Sequence, residues 1–302
     1  MRTVTADDLK NLYIPPPDSH KGQNGKLLII GGSKFFHAAS LWALEVASRI
    51  VDLVHYSSVP ENNALVMRIK AAFRDGIVVP RDTVERYIEE DDAILIGPGM
   101  MRAERAISNI KYQISNIREL EKIKDEGQQT AALTNYLLRK YPNKQWVIDA
   151  GALQMMEVAS IPPHAILTPH RKEFAGLWAK RQETRDKRND RIAEEEAVRL
   201  FVQDYHCVVL LKGVVDIVCD ANGNCRKIEG GNAGMTKGGT GDVLAGLVAA
   251  LACKNDPFTA ATAGSYFNKR AGEALSGEAG PYFNASDLAH QIPRTMEDAL
   301  RS

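Results

Sequence analysis

Residues 230–246 read Gly-Gly-Asn-Ala-Gly-Met-Thr-Lys-Gly-Gly-Thr-Gly-Asp-Val-Leu-Ala-Gly, and this stretch decides how the rest of the chain is read. A glycine-dense loop closes on one carboxylate, Asp242, and an apolar, alanine-rich run follows from Val243 to Cys253. Glycine lets a backbone approach a bulky anion and adopt conformations closed to other residues. A helix that begins where such a loop ends aims unpaired N–H groups and a partial positive charge at the same point. The arrangement suits a phosphate held beside a hydroxyl whose proton must be accepted. Two compatible readings of Asp242 stand at this level, a helix N-cap and a catalytic base. A helix N-terminus favours the charged carboxylate, so Asp242 is expected to be ionised.

The pattern upstream is repetitive. Apolar runs at Lys26–Ile30, Asp52–Ser57, Ala93–Ile96, Trp146–Ile148, Ala165–Leu167 and Val208–Leu211 read as buried strands, most of them ending in a small or polar turn. Ala38–Ile50 reads as a helix, Arg102–Lys124 as a polar surface helix, and Val243–Cys253, Pro257–Leu275 and Ala285–Arg301 as a helical final third. Residues 1–25 form a lead-in with a polar opening helix and a Pro15-Pro16-Pro17 break. Strands alternating with helices predict an α/β fold: a mostly parallel central sheet with helices on both faces. Ligands of such sheets bind outside the carboxyl ends of the strands. That rule gathers Gly97–Gly99, Asp149, Thr168–Glu173, Lys212-Gly213 and residues 238–242 on one edge. No linker rich in Pro, Gly or Ser divides the chain, so residues 1–302 are expected to form one domain, with 1–20 as its lead-in.

Composition narrows the function classes. Thirty-eight basic residues balance 38 acidic ones, so no net field draws the protein to nucleic acid or an anionic membrane. No apolar run approaches the roughly 20 residues that span a bilayer, and the opening Met1–Asp8 carries no apolar signal core. A cytoplasmic location is the expectation. The four cysteines, Cys207, Cys219, Cys225 and Cys253, form no Cys-x-x-Cys pair, and no His-Glu-x-x-His is present, which argues against zinc. Cys219 and Cys225 flank an expected hairpin turn, Asp220–Asn224, as two reduced thiols. The chain has no Walker A motif, and Gly97-x-Gly99-x-x-Arg102 lacks the third glycine of a dinucleotide fingerprint. Lys212-Gly213 is either a phosphate contact or a plain turn. His170 and Glu173, three residues apart, share a helix face and could orient substrate, water or magnesium. The charge run Lys180–Arg191 reads as a solvated face, with a phosphate-contacting lid as the other reading.

Taken together, Asn232-Ala233-Gly234-Met235 leading into Gly238-Gly239-Thr240-Gly241-Asp242, with Gly97-Pro98-Gly99, Asp149-Ala150, Thr168-Pro169-His170, Glu173-Phe174 and Lys212-Gly213, resemble the ADP/ATP-dependent NAD(P)H-hydrate dehydratases of the ribokinase-like superfamily. The resemblance implies a ribokinase-like fold and a repair lyase that returns the S epimer of hydrated NADH or NADPH to NAD(P)H. It implies ADP or ATP as co-substrate, Mg2+ on its phosphates, and phosphorylation of the C6 hydroxyl followed by loss of phosphate. Asp242 is then the base, with Gly239 and Gly241 supplying backbone N–H groups. Ala39, Gly99, His170 and Asp242 contact the hydrated cofactor. Lys212, Gly213, Val214, Val215, Asp216, Gly238, Thr240 and Gly241 hold the nucleotide. Glu173 orients magnesium or water, and no residue is assigned as a direct metal ligand. The resemblance further implies a homo-oligomer, a tetramer, working with a separate hydrate epimerase, since no epimerase domain is present. The chain departs from relatives at Ser33–Ala38, where they carry more glycine, at Arg171-Lys172, and at Gly151, where an aspartate is common. A vitamin-precursor kinase of the same fold and a non-catalytic nucleotide-binding module are the competing classes.

Overall fold

The computed structural model describes residues 1–103, 113–184 and 192–301. Its strands are β1 Arg2–Thr3, β2 Lys26–Ile30, β3 Leu53–Ser57, β4 Ile77–Val78, β5 Ala93–Ile96, β6 Gln145–Ile148, β7 Ile166–Leu167, β8 Val208–Leu211, β9 Asp216–Cys219 and β10 Cys225–Ile228. Its α-helices are α1 Ala38–Ala47, α2 Pro60–Ile69, α3 Val84–Glu90, α4 Glu126–Lys140, α5 Ala150–Met155, α6 Arg171–Thr184, α7 Glu194–Tyr205, α8 Thr240–Ala252, α9 Pro257–Ala279 and α10 Ala285–Arg301. All ten strands form one sheet in the order β1-β10-β9-β8-β7-β6-β5-β2-β3-β4. From β4 to β8 every pairing is parallel, while β9 runs antiparallel to both β8 and β10.

The two-residue period of a strand explains the two cores. Leu27 and Ile29 of β2 face the layer built by α1, α8, α9 and α10, where Val46, Leu247 and Phe267 are fully buried. Leu28 and Ile30 face the opposite layer with Trp146, Leu137 and Phe201. The first layer is tight because it is built from small residues. A Cβ on Gly246 would lie 2.6 Å from the Ala43 carbonyl oxygen, so α8 can lie on α1 only with glycine there. Asp256 caps α9 through the Phe258 and Thr259 N–H groups, with Pro257 pre-set for the first turn.

Four expectations need correction. The lead-in is a sheet element: Arg2-Thr3 pairs in parallel with Arg226-Lys227, and its opening helix is one 3-10 turn, Ala6–Leu9, that buries Leu9. Arg102–Lys124 is not one helix. Its described part holds a 3-10 turn at Ile117–Lys122, and the Ser115 N–H and hydroxyl donate to the Glu119 carboxylate, a local bond that competes with helix formation; residues 104–112 lie outside the described residues. Cys219 and Cys225 form a disulfide, because the antiparallel register sets them directly opposite with Cα atoms 4.2 Å apart. The 180–191 run is not wholly a solvated face. Arg181 pairs with Asp204 at 2.5 Å and lies over the Trp178 ring at 4.5 Å, while residues 185–191 lie outside the described residues. Among the described residues no helix is long and apolar enough to cross a membrane.

Candidate active site

The carboxyl ends of β2, β5, β6, β7 and β8 and the N-terminus of α8 converge on one edge. After β5 the chain turns at Gly97 and Gly99, both at positive φ (128° and 71°). A Cβ on Gly97 would fall 1.8 Å from the Asp149 carbonyl oxygen. One on Gly99 would lie 2.7 Å from the Phe36 carbonyl oxygen and 3.1 Å from the Ala39 Cβ. Ala39 and Gly99 are therefore neighbours, as two contacts to one ligand require. The departure at Gly151 has a local cause: Ala150 is left-handed (φ 44°), and any Cβ at 151 would meet the Met100 carbonyl oxygen at 2.1 Å.

Lys212 stands at the centre. Its Nζ lies 2.9 Å from Asp149 Oδ1, in a pair with only 18% and 2% of the side chains exposed. Its backbone N–H donates to the Pro169 carbonyl at 2.8 Å, and an isolated parallel bridge joins it to His170. A Cβ on Gly241 would sit 3.6 Å from the same Nζ, so Lys212 reaches the first turn of α8. Burial works against the lysine's charge, but Asp149 and then Glu173 outweigh it and hold the ammonium above its usual range. His170 and Glu173 form a reciprocal cap on α6. The His170 N–H donates to Glu173 Oε2 at 2.9 Å, the Glu173 N–H donates to His170 Nδ1 at 3.2 Å, and Gln154 donates to Glu173 Oε1 at 2.9 Å. The ring of His170 remains half exposed.

Asp242 is the third residue of α8, not its N-cap. Gly239 is the cap, at φ 97°, pressed so closely on Trp42 that a Cβ would lie 2.4 Å from the indole. Nor does the helix terminus keep Asp242 in the ordinary carboxylate range. Burial pushes its carboxyl up to about 7, and the negative charges of Asp149 and Glu173 add to that, against the pull of Lys212. Three carboxylates therefore act on one ammonium. The loop before α8 is pinned: the Thr240 hydroxyl lies 2.7 and 2.9 Å from the Met235 and Lys237 carbonyls, and the Lys237 ammonium reaches the Pro281 and Phe283 carbonyls.

Beside this cluster lies a cavity of about 590 Å³ between the 212–216 loop, the 230–236 loop, the start of α8 and the middle of α9. It takes in Lys212, Gly213, Val214, Thr240 and Gly241. Asp216 also borders the cavity, with its carboxylate already engaged: it accepts from the Gly213 N–H at 2.8 Å and the Ser265 hydroxyl at 2.7 Å, and stands 3.4 Å from Lys269 Nζ. Lys269 and Asn268 escaped the sequence reading. The signal available was a polar pair inside the small-residue run of α9, flanked by Ala263 and Ala271. Among the described residues no three acidic, histidine or cysteine side chains stand close enough to hold a metal ion.

Comparison with known proteins places this geometry. Residues 27–294 match the family model of NAD(P)H-hydrate dehydratase. A bifunctional NAD(P)H-hydrate repair enzyme of Methanocaldococcus jannaschii is 33% identical over 96% of this chain, which spans 52% of that protein; the chain covers about half the length of several such bifunctional relatives. An ADP-dependent (S)-NAD(P)H-hydrate dehydratase of Cenarchaeum symbiosum is 31% identical over 98% of this chain and 97% of its own length. In fold, a ribokinase-like protein of Enterococcus faecalis superposes with a TM-score of 0.77 at 20% identity, covering 100% and 97% of the two chains. A Bacillus subtilis ADP/ATP-dependent NAD(P)H-hydrate dehydratase co-crystallised with ATP and Mg2+ gives 0.75 at 22%, covering 99% and 98%. The architecture is ribokinase-like.

Proposed function

Because the chain belongs to the NAD(P)H-hydrate dehydratase family, we propose that it dehydrates the S epimer of hydrated NADH or NADPH at the expense of ADP, releasing AMP, phosphate and NAD(P)H. One observation carries this reading: a carboxyl held near neutrality, Asp242, stands at the N-terminus of α8 beside a buried, charged lysine. The C6 hydroxyl oxygen attacks the terminal phosphorus of ADP and gives its proton to Asp242, while AMP departs. The N–H groups of the first turn of α8, around Gly239–Gly241, take up charge on the transferred phosphoryl. Phosphate is a far better leaving group than hydroxide. It then leaves C6, and a proton is lost from C5 as the ring double bond returns. Ala39, Gly99 and His170 line the side that receives the hydrated ring; Lys212 through Val215, with Gly238 and Thr240, receive the nucleotide.

No three ligating side chains gather here among the described residues, so magnesium would rest on the nucleotide rather than in a protein cage. Glu173 would orient it or its water, and the nucleotide's phosphates would supply most of its oxygens. When bound, Mg2+ neutralises phosphate charge. We further read residues 1–302 as one catalytic unit, because a single sheet runs from β1 to β4, working with a hydrate epimerase, as a homo-oligomer, and in the cytoplasm. The choice of ADP over ATP is supported by a relative, 31% identical and matched over 97% of its length, that is ADP-dependent.

The test is a coupled measurement. Hydrated NADH plus ADP should regain the near-ultraviolet absorbance of reduced nicotinamide. Asp242→Asn should lower that rate about 10²- to 10⁴-fold while ADP binding persists. Phosphorylation of a vitamin-precursor alcohol without hydrate turnover would overturn the reading in favour of a kinase, and nucleotide binding without any turnover would leave a binding module.

A further inference from the structure

We propose that Lys269 is a positioning residue for the nucleotide: it ties the two loops that wall the cavity into one arrangement able to bind. This rests on the nucleotide site proposed above and adds to it a residue that acts through the backbone of both walls.

The walls come from separate parts of the chain, residues 212–216 between β8 and β9 and residues 230–236 after β10. Lys269 reaches both from the middle of α9. Its Nζ donates to the Gly213 and Val214 carbonyls at 3.1 and 3.0 Å and to the Gly230 carbonyl at 3.4 Å. An ammonium has three donors, and loop carbonyls take all three. Asp216 supplies the opposite charge, its Oδ1 3.4 Å from Nζ, with both side chains 6% exposed. The same Oδ1 accepts from the Gly213 N–H at 2.8 Å, so Gly213 is held at both of its peptide groups. The other oxygen, Oδ2, accepts from the Ser265 hydroxyl of α9 at 2.7 Å.

A buried ion pair is a poor source of stability, because desolvation offsets its attraction. The effect of this one is local. None of the three carbonyls belongs to a strand or a helix; all belong to the walls. Carbonyl dipoles aimed at one point repel unless a cation stands there, and charge-assisted bonds to it are stronger than neutral ones. A trans peptide sets its N–H opposite its C=O. Drawing these carbonyls onto Lys269 therefore turns the Val214, Val215 and Gly231 N–H groups away from it. None of those three donors has a hydrogen-bond partner among the described residues. The second wall also packs on the lysine's stem: Gly231 lies at φ 78°, and a Cβ there would sit 3.6 Å from Lys269 Cγ.

The experiment measures hydrate turnover and calorimetric ADP titration for wild type and Lys269→Met, which keeps the stem and removes the ammonium. KM and Kd for ADP should rise about tenfold or more. At saturating ADP, kcat and the KM for the hydrate should stay within about threefold of wild type, the pattern of lost binding rather than lost chemistry. Asp216 loses its counter-charge, so Tm should fall as well. A lower Tm with ADP affinity unchanged would make Lys269 structural only and overturn the proposal, as would a loss of kcat without a loss of ADP affinity. Wild type carries a second arm that stands even if the variant does not fold. Adding ADP should shift the amide proton resonances of Val214, Val215 and Gly231, and adding hydrate alone should not. ADP that binds yet leaves the amides of either wall unmoved overturns the assignment. If wild type binds no ADP, the nucleotide site itself is refuted, and the role of Lys269 falls with it.

Discussion

Asp242 is the proposed base, and its environment fixes how that residue answers to pH. The carboxyl sits at about 7, against 3.8 for an ordinary aspartate. A base must be ionised to accept a proton, so kcat/KM for the hydrate should fall on the acid side with an apparent pKa near that value. Stability runs the other way. Between those two pH values the folded state binds more protons than the unfolded chain, so this group's contribution declines as pH rises through the window. Asp242→Asn should therefore raise Tm above neutral pH, by a few degrees, while turnover falls as stated above; a lower Tm at high pH would contradict the burial argument. Lys212 opposes the shift. Lys212→Met should move the acid limb above that of wild type and lower Tm, because Asp149 is left as a buried unpaired charge. Little of this was legible in the sequence. The motif pointed to Asp242, but its charge state depends on Asp149 and Glu173, which lie 93 and 69 residues away in the chain.

At the scale of elements, the turns hold the site through glycines that cannot be replaced. Gly239 joins loop to α8 at φ 97° against the Trp42 ring. Gly239→Ala should lower Tm and weaken ADP binding, since the cap would have to move off Trp42 and carry Gly241 with it. Gly151→Asp, which supplies the residue common in relatives, should destabilise by about 1–3 kcal/mol, read by denaturant unfolding, because Met100 already fills the space for a Cβ. Six parallel strands and the three final helices were legible because apolar runs and small turn residues announce them; β1 and β4, two residues each, were too short to show. The 3-10 turn at Ile117–Lys122 was not, because a charged run with hydrophobics every few residues also fits a helix. Asn268 and Lys269 were hidden for a related reason: a polar pair in an α9 otherwise patterned for burial has meaning only once the neighbouring loops are placed.

Across the whole molecule, the sheet's antiparallel end borders the cavity proposed for the nucleotide, and its parallel body the side proposed for the hydrated cofactor. Both hairpin strands run directly into the cavity walls, β9 from Lys212–Asp216 and β10 toward Gly230–Asn232. The Cys219–Cys225 disulfide locks that hairpin. A loop this short should contribute about 2 kcal/mol, so a thiol reductant, or a Cys219→Ser/Cys225→Ser double variant, should lower Tm by several degrees and leave the hydrate site itself in place. Sequence reading foresaw the hairpin, but register alone could turn two thiols into a bond.

The backbone bond from Lys212 to Pro169 gives the site a clock. That N–H sits beyond the ends of β7 and β8, at the lip of the sheet, yet it is held by the segment after β7 at 2.8 Å. Its deuterium uptake therefore counts how often the two strand ends part, an event that would open the floor beneath both ligands. Slow uptake that slows further with ADP alone would mean that the nucleotide closes this seam before the second ligand arrives, and so sets an order of entry.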